Sequence, residues 1–158
     1  MTLNQWLRRK ILVPLFKLLS EGLAPSRLAL CVAVGVVIGT IPVLGVSTVL
    51  CTLVALLFRL NLPAIQLAQW AMAPIQLLLI IPFVRLGEWL LRAPPQPLSL
   101  KAGAALMQQG VGAAVVALWD AIVHASFAWA LVAPVIILML HKILTPIFKR
   151  AARRTQRP

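Results

Sequence analysis

The chain has few acidic residues, histidines and cysteines, and these shortages exclude most kinds of catalytic and metal site. Only three of its 158 residues are aspartate or glutamate, two are histidine and two are cysteine. Only Glu21, Glu88 and Asp120 are acidic, two scattered histidines make a poor metal site, and no serine stands in the setting of a nucleophile. Cys31 and Cys51 are interpreted as small apolar core residues. We therefore expect a protein that is not an enzyme and that holds no metal or cofactor.

Charged residues are scarce as well, at 11% of the chain, whereas 61% of the residues are hydrophobic. Proteins in water carry about 25% charged residues. A water-soluble domain of this length cannot bury so many apolar side chains, so the composition indicates an integral membrane protein. We predict an amphipathic cytoplasmic interfacial segment at residues 1–22, one membrane domain at residues 23–141 and a basic cytoplasmic tail at residues 142–158.

The net charge of +12 is explained by the positions of the basic residues. Five of the fifteen precede the first apolar run and six follow the last. Basic residues beside membrane segments stay in the cytoplasm, which predicts a multi-pass inner-membrane protein with both termini cytoplasmic and two crossings, or four as the alternative. The same residues should attract anionic lipids. Nucleic acid is not an expected partner, because no aromatic platform or recognition helix accompanies these clusters.

The first apolar run, residues 28–58, contains no charge but is interrupted by glycine and proline. An unbroken helix of this length would reach roughly 46 Å, well beyond a hydrocarbon core of about 30 Å. Pro42 removes a backbone donor, and Gly39 and Gly45 allow the chain to reverse. The pattern predicts an all-α fold with a re-entrant or kinked helical hairpin whose two halves enter and leave by the same side. A single tilted crossing is the alternative, and it would place Arg59 on the outer side.

The interruption is also the predicted substrate site. A half-helix that starts after it would direct free backbone N–H groups and the positive end of its dipole toward a phosphate, with Arg27 and Arg59 as flanking cations. Gln66, Gln69 and Gln76 share one helical face, where they either line the substrate or bridge neighbouring helices. The candidate substrate-binding residues are Arg27, Gly39, Pro42, Gly45, Arg59, Asn61, Gln66 and Gln69.

Two further pairs of ionisable residues stand at helical spacing. Asp120 and His124 are candidates for carrying a coupling proton. A static interhelical hydrogen bond is the structural alternative for this pair, and intramembrane catalysis is a third interpretation. Arg85 and Glu88 are predicted to form a local ion pair near a membrane boundary.

Three stretches carry a resemblance to a known family. They are residues 24–30 (APSRLAL), 35–45 (GVVIGTIPVLG) and 59–63 (RLNLP), and in order and spacing they resemble the prokaryotic membrane family called domain of unknown function 2062. The resemblance covers roughly residues 14–91. Members of that family typically carry an Asn-Pro pair after a tryptophan, whereas this chain has Ala73-Pro74 after Trp70. The resemblance implies an integral membrane protein of uncharacterised activity, sometimes fused to glycosyltransferase-like modules.

Two functional hypotheses follow. The first is a small transporter or flippase-like protein for an anionic lipid or a lipid-linked phosphate. The alternative is a non-catalytic membrane anchor or partner of a glycosyltransferase or an envelope-assembly enzyme. A homo-oligomer is plausible in either case, because two crossings enclose little protected volume.

Overall fold

The computed structural model describes residues 23–43, 45–94, 108, 112, 116 and 119–155. This part of the chain contains five α-helices and no strand, in agreement with the predicted all-α fold. The helices are α1 (Pro25–Ile38), α2 (Val46–Leu57), α3 (Leu62–Ala71), α4 (Ala73–Leu91) and α5 (Trp119–Thr155). The predicted interfacial segment at 1–22 lies outside the described residues. Most of the predicted basic tail belongs to α5, which continues without interruption from its apolar part to Thr155.

Helix α1 ends at the predicted interruption, for local reasons. The N–H groups of Thr40 and Ile41 donate to the carbonyls three residues earlier, each with an N···O distance of 3.1 Å. These short-range hydrogen bonds tighten the last turn of α1. Pro42 has no N–H with which to continue the helix. Gly45, at φ +86°, then provides the left-handed residue from which α2 starts. Gly39 is different from the prediction: its φ of −63° is helical, so its backbone does not require glycine.

Helices α3 and α4 follow each other almost directly. The Asn61 side chain caps α3, since its Oδ1 accepts the Ala64 N–H at 3.0 Å. Met72 alone separates the two helices, as the C-cap of α3 and the N-cap of α4. Pro63 and Pro74 each lie in the first turn of a helix, where a missing N–H breaks no hydrogen bond.

Helix α1 lies at the centre of the packing, against α5, α3 and α2, while α4 packs mainly on α5. Its direction is opposite to that of α5, because Trp129 contacts Val37 whereas His141 contacts Ser26. It runs parallel to α3, since Gly35 faces Ile65 and Gly39 faces Gln69 one turn later. The main core cluster consists of Leu28, Ala29, Cys31, Val34, Ile38, Cys51, Ala55, Ala64, Ile65 and Phe148.

The contacts of α5 give the depth of the interruption within the fold. Trp129, which touches the end of α1, lies twelve residues before His141 and nine residues after Asp120. At 1.5 Å per residue these separations are roughly 18 Å and 14 Å. The stretch between Asp120 and Lys142 is apolar apart from Ser126 and its two histidines. The end of α1 therefore lies near the middle of the apolar length of α5.

Two of the described helices are long and apolar enough to cross a membrane, judged by length and composition. They are α4, over Ala73–Leu91, and α5, over Trp119–Arg153. Both direct large apolar side chains outward, among them Leu78, Val135 and Leu138. Helices α1 and α2 are apolar but shorter. This part of the chain is thus consistent with a membrane-associated protein, as its composition predicted.

Candidate functional site

Polar side chains from α2, α3, α4 and α5 and from the connection after α1 converge at the interruption. Thr40, Ser47, Gln69 and Gln76 are each more than nine-tenths buried, although they lie in an otherwise apolar interior. Trp129 reaches the same place from α5. We call this cluster the polar break and define it as Thr40, Ile41, Ser47, Thr48, Gln69, Gln76 and Trp129. Polar groups that are removed from water need hydrogen-bond partners, so each hydrogen bond here offsets the cost of burying its donor and acceptor.

Side chains from distant helices satisfy the carbonyls at the end of α1. The Trp129 Nε1–H donates to the Val37 carbonyl at 3.1 Å, and it lies 3.4 Å from the Thr40 hydroxyl. The Thr40 hydroxyl itself donates to the Val37 carbonyl at 2.7 Å. The Gln76 amide donates to the Ile41 carbonyl at 2.8 Å. The last carbonyls of a helix lack partners within the helix, so these bonds allow α1 to end inside the protein.

The first turn of α2 lies on the other side of the polar break. Its N-cap is Gly45, which has no side chain to accept the N–H groups of that turn. The Gln69 Nε2 donates to the Ser47 hydroxyl at 2.9 Å and lies 3.4 Å from the Thr48 hydroxyl. Within the described residues, the buried Gln69 Oε1 has no hydrogen-bond partner. Two hydroxyl protons, a helix N-terminus and one unused acceptor therefore meet at this point.

Glycines bring α1 and α3 together and so position Gln69. A Cβ on Gly35 would collide with the Ile65 carbonyl oxygen, and a Cβ on Gly39 would lie 2.9 Å from the Gln69 carbonyl oxygen and from the Met72 Cβ. Two glycines four residues apart form a small-residue contact of the kind that lets membrane helices approach closely. The spacing was visible in the sequence, but Gly39 was interpreted as a turn residue.

The structure separates the predicted substrate-binding residues into two groups. Gly39, buried Pro42, Gly45 and Gln69 lie at or beside the polar break. Arg27 does not: it is exposed near the start of α1, roughly 18 Å along the helix from Gly39.

The remaining candidates also lie elsewhere. Arg59 is exposed just beyond the far end of α2. Asn61 uses its Oδ1 to cap α3, and Gln66 is half-buried on that helix. The two arginines therefore do not flank the interruption, because each precedes or follows it by a whole helix.

A protein family matches nearly the whole chain, over residues 9–157. The chain belongs to this family, which is described as "Uncharacterized protein conserved in bacteria (DUF2062)". The match extends well beyond residues 14–91 and includes all five described helices. No curated protein and no solved structure matches the chain.

In this DUF2062 member, the predicted Asp120 and His124 pair lies on α5 without a mutual hydrogen bond among the described residues. Asp120 is exposed, whereas the His124 Nδ1 is buried and has no partner in that part of the chain. The backbone of His124 packs directly against Gly87, where a Cβ would collide with the His124 carbonyl. Proton coupling by this pair and a static interhelical hydrogen bond both stay predictions.

The predicted ion pair at the end of α4 is confirmed. The Arg85 Nη1 lies 2.8 Å from the Glu88 Oε2, with the Glu88 side chain 5% exposed and the Arg85 side chain 45% exposed. A cavity of about 700 Å³ adjoins this pair. The described residues that line it are Arg85, Glu88, Trp89, Leu90, Arg92 and Ala93.

An apolar groove lies between α1, α2 and α5, with a volume of about 450 Å³. Its described lining is Leu30, Val34, Ile38, Leu50, Val54, Phe58, Leu60, Trp129 and Ile137. One end, at Ile38 and Trp129, adjoins the polar break. Phe58 and Leu60 form the other end, and Arg59 lies between these two residues in the chain.

Proposed function

We propose that this protein is a small transporter or flippase-like protein of the bacterial inner membrane. It moves an anionic lipid or a lipid-linked phosphate between the two membrane faces without converting it chemically. The observation that supports this function is the polar break, a set of buried hydrogen-bonding groups halfway along the apolar length of α5. A polar site at this depth gives a headgroup a place to stop within a hydrocarbon layer that otherwise excludes it.

The proposal includes a membrane topology. Helices α1 and α2 form a re-entrant hairpin that reaches the middle of the membrane and returns to the cytoplasmic face. Helices α3 and α4 together make one crossing, α5 makes the second, and both termini are cytoplasmic. Supporting this arrangement, the apolar stretch of α5 from Asp120 to His141 spans roughly 31 Å, close to a hydrocarbon core of about 30 Å. The basic residues after His141 then lie on the cytoplasmic side.

In this mechanism the headgroup binds at the first turn of α2. The positive end of the helix dipole and the Ser47 and Thr48 hydroxyls favour negative charge there. Arg27 and Arg59 have a different role from the one their sequence positions suggested. They lie at the cytoplasmic end of the hairpin, where they attract anionic headgroups before the lipid reaches the polar break.

The topology is tested by labelling single cysteines in sealed membranes with an impermeant thiol reagent. The reporters are Leu60→Cys, Gln96→Cys and Thr155→Cys, each in a background with Cys31→Ala and Cys51→Ala. We expect positions 60 and 155 to react only from the cytoplasmic side and position 96 only from the outside. Reaction of position 60 from the outside would show that α1 and α2 cross the membrane, and the re-entrant hairpin would be excluded.

Transport is tested with purified protein in phosphatidylcholine vesicles that contain a headgroup-labelled anionic lipid. A membrane-impermeant quencher reports how much of the label reaches the outer leaflet. We expect Gln69→Leu to abolish the protein-dependent movement, because it removes the amide from the polar break. The control is Thr52→Val on α2, one turn after Thr48. This variant loses a hydroxyl that donates to the Thr48 carbonyl of its own helix at 2.9 Å.

Two results would count against transport. Movement at the wild-type rate in Gln69→Leu would remove the polar break from the mechanism. No movement with wild-type protein, together with stable co-purification of a glycosyltransferase or envelope-assembly enzyme, would favour the membrane-partner hypothesis instead.

A further inference from the structure

We propose that the apolar groove holds the hydrocarbon chain of the same lipid whose head occupies the polar break, and that this lipid is a phosphate monoester. This inference rests on the proposed function and names its substrate class. It joins two parts of the molecule, a groove without polar lining residues among those described and a buried cluster with unused hydrogen-bonding capacity.

The groove and the polar break are continuous. Trp129 belongs to both, because its ring lines the groove while its Nε1–H donates to the Val37 carbonyl at the end of α1. Ile38 lines the groove and is followed within two residues by Thr40 of the polar break. A molecule with its head at the first turn of α2 can therefore place its tail in the groove without leaving the protein surface.

The groove has dimensions that suit a hydrocarbon chain. From Ile38 to Leu30 it follows α1 for eight residues, or roughly 12 Å. Its volume of about 450 Å³ falls within the usual ligand-site range of roughly 300–1,000 Å³. Only aliphatic and aromatic side chains line it among the described residues, so it offers a polar occupant no hydrogen bond.

The far end of the groove favours a lipid over a second helix. Phe58 and Leu60 form this end, and Arg59 lies between them in the chain. In the proposed topology Arg59 lies at the cytoplasmic membrane boundary, where cationic side chains attract anionic headgroups. Arg59 thus concentrates anionic lipid beside the end of the groove.

The hydrogen-bonding groups of the polar break select the kind of head. The Ser47 and Thr48 hydroxyls and the first turn of α2 provide donors for phosphate oxygens. The unpartnered Gln69 Oε1 is an acceptor, and Gln69 is 8% exposed, so this acceptor needs a donor from the ligand. A phosphate monoester with one negative charge provides that donor through its P–OH group. A phosphodiester and a fully ionised monoester do not.

The probe for this proposal is hexadecyl phosphate with a photoreactive diazirine near the end of its chain. Full-length protein in phosphatidylcholine nanodiscs is irradiated with the probe, and the labelled peptides are identified by mass spectrometry. We expect labelling on groove residues near Leu30 and Phe58. Excess hexadecyl phosphate should compete, whereas hexadecanol and a dialkyl phosphodiester should not. Labelling should also fall as the pH rises through about 6 to 7, where a phosphate monoester loses its second proton.

Groove variants separate a specific site from general contact with lipid. Leu50→Trp and Val54→Trp place a large side chain in the groove from half-buried positions on α2, and each should abolish labelling of the groove residues. The matched control is Leu57→Trp on the same helix, which is 77% exposed and does not line the groove. It should keep wild-type labelling. Because there are two groove variants, the test can still be read if one of them fails to fold.

The failures of the two proposals have different signatures. Labelling confined to the outer faces of α4 and α5 would overturn the groove assignment and leave the headgroup site at the polar break standing. Groove labelling that hexadecanol competes equally well, and that Gln69→Leu leaves unchanged, would overturn the phosphate head and remove the site on which the proposed function rests.

Discussion

Helix α1 is shorter than helix α4 but more deeply buried. Helix α1 has only 14 residues, yet eight of them are buried and it contacts three other helices. Helix α4 has 19 residues, long enough to cross a membrane, yet only four are buried. The helix that organises this fold is therefore too short to span a bilayer. The comparison teaches that apolar length identifies the helices able to cross a membrane, whereas small side chains identify the helix at the centre.

The contact between α1 and α3 also differs from the contact between α4 and α5, and these two contacts define two regions of the molecule. Helices α1 and α3 meet through two glycines and enclose the polar break, whereas α4 and α5 meet at Gly87 and at a small cluster around Val84, Ala121 and Ala125. The first contact combines close backbone packing with buried hydrogen bonds. The second relies mainly on packing. Four predictions test this difference, beginning with the largest effect.

Gly35→Val should have the largest effect, because its side chain would enter the Ile65 carbonyl and separate α1 from α3. We expect no monodisperse protein after size-exclusion chromatography in mild detergent. The control is Gly45→Ala, whose added Cβ meets no atom within 4 Å but whose backbone must keep a φ of +86°. It should cost about 1–2 kcal/mol in the free energy of unfolding and still give folded protein. A wild-type elution profile for Gly35→Val would mean that α1 is not central.

Gly87→Val should have the second largest effect, limited to one region. Its side chain would push α4 away from the His124 backbone while leaving the contact between α1 and α3 intact. Hydrogen–deuterium exchange should become faster in α4 and in the first part of α5, with no change in α1. Faster exchange throughout α1 would contradict the separation of the molecule into two regions.

Gln76→Leu should destabilise the polar break by about 1–3 kcal/mol, because the buried Ile41 carbonyl loses its donor. Thermal unfolding in detergent measures this change. Gln66→Leu is the matched control for stability, since it makes the same substitution at a half-buried position, and it should cost less than about 0.5 kcal/mol. Equal destabilisation by the two variants would show that the hydrogen bond of Gln76 has no special importance.

The smallest predicted effects compare the two ends of the contact between α1 and α5. Trp129→Phe removes the bond to the Val37 carbonyl in the buried part and should cost about 1 kcal/mol. His141→Ala removes a contact of 3.3 Å with Ser26, which is exposed, and should change stability by less than about 0.5 kcal/mol. Thermal unfolding of both variants under the same conditions checks the order, and the reverse order would place the stronger contact at the exposed end.

Local sequence signals predicted the features that depend on neighbouring residues. Pro42 and Gly45 located the end of α1 and the start of α2 because their backbone limits act where they stand. The ion pair of Arg85 with Glu88 followed from helical spacing. Gln69 and Gln76 point inward as predicted, but they lie on two helices, α3 and α4, and not on one face of a single helix.

The features that depend on packing between distant helices could not be predicted in this way. Arg27 and Arg59 are a different case, because the helix between each of them and the interruption is visible in the sequence and the prediction that they flank the phosphate overlooked its length. The role of Gly39 depends on the backbone of α3: its spacing from Gly35 signals a close helix contact but does not identify the partner helix. Trp129 carried no local signal for its contact with Val37, which lies 92 residues earlier in the chain.

That separation has a consequence for biosynthesis. Ribosomes add about 5–20 residues per second, so Trp129 emerges roughly 5–20 seconds after Val37. During this interval the newly made α1 lacks the indole that donates to its Val37 carbonyl, and Ser26 waits still longer for His141, 115 residues later. The Val37 carbonyl then has the Thr40 N–H and hydroxyl as donors, and the contacts with α5 form only when translation is nearly complete. A chain that stops before α5 therefore lacks the most extensive packing partner of α1, even though every residue of α1 to α3 is already present.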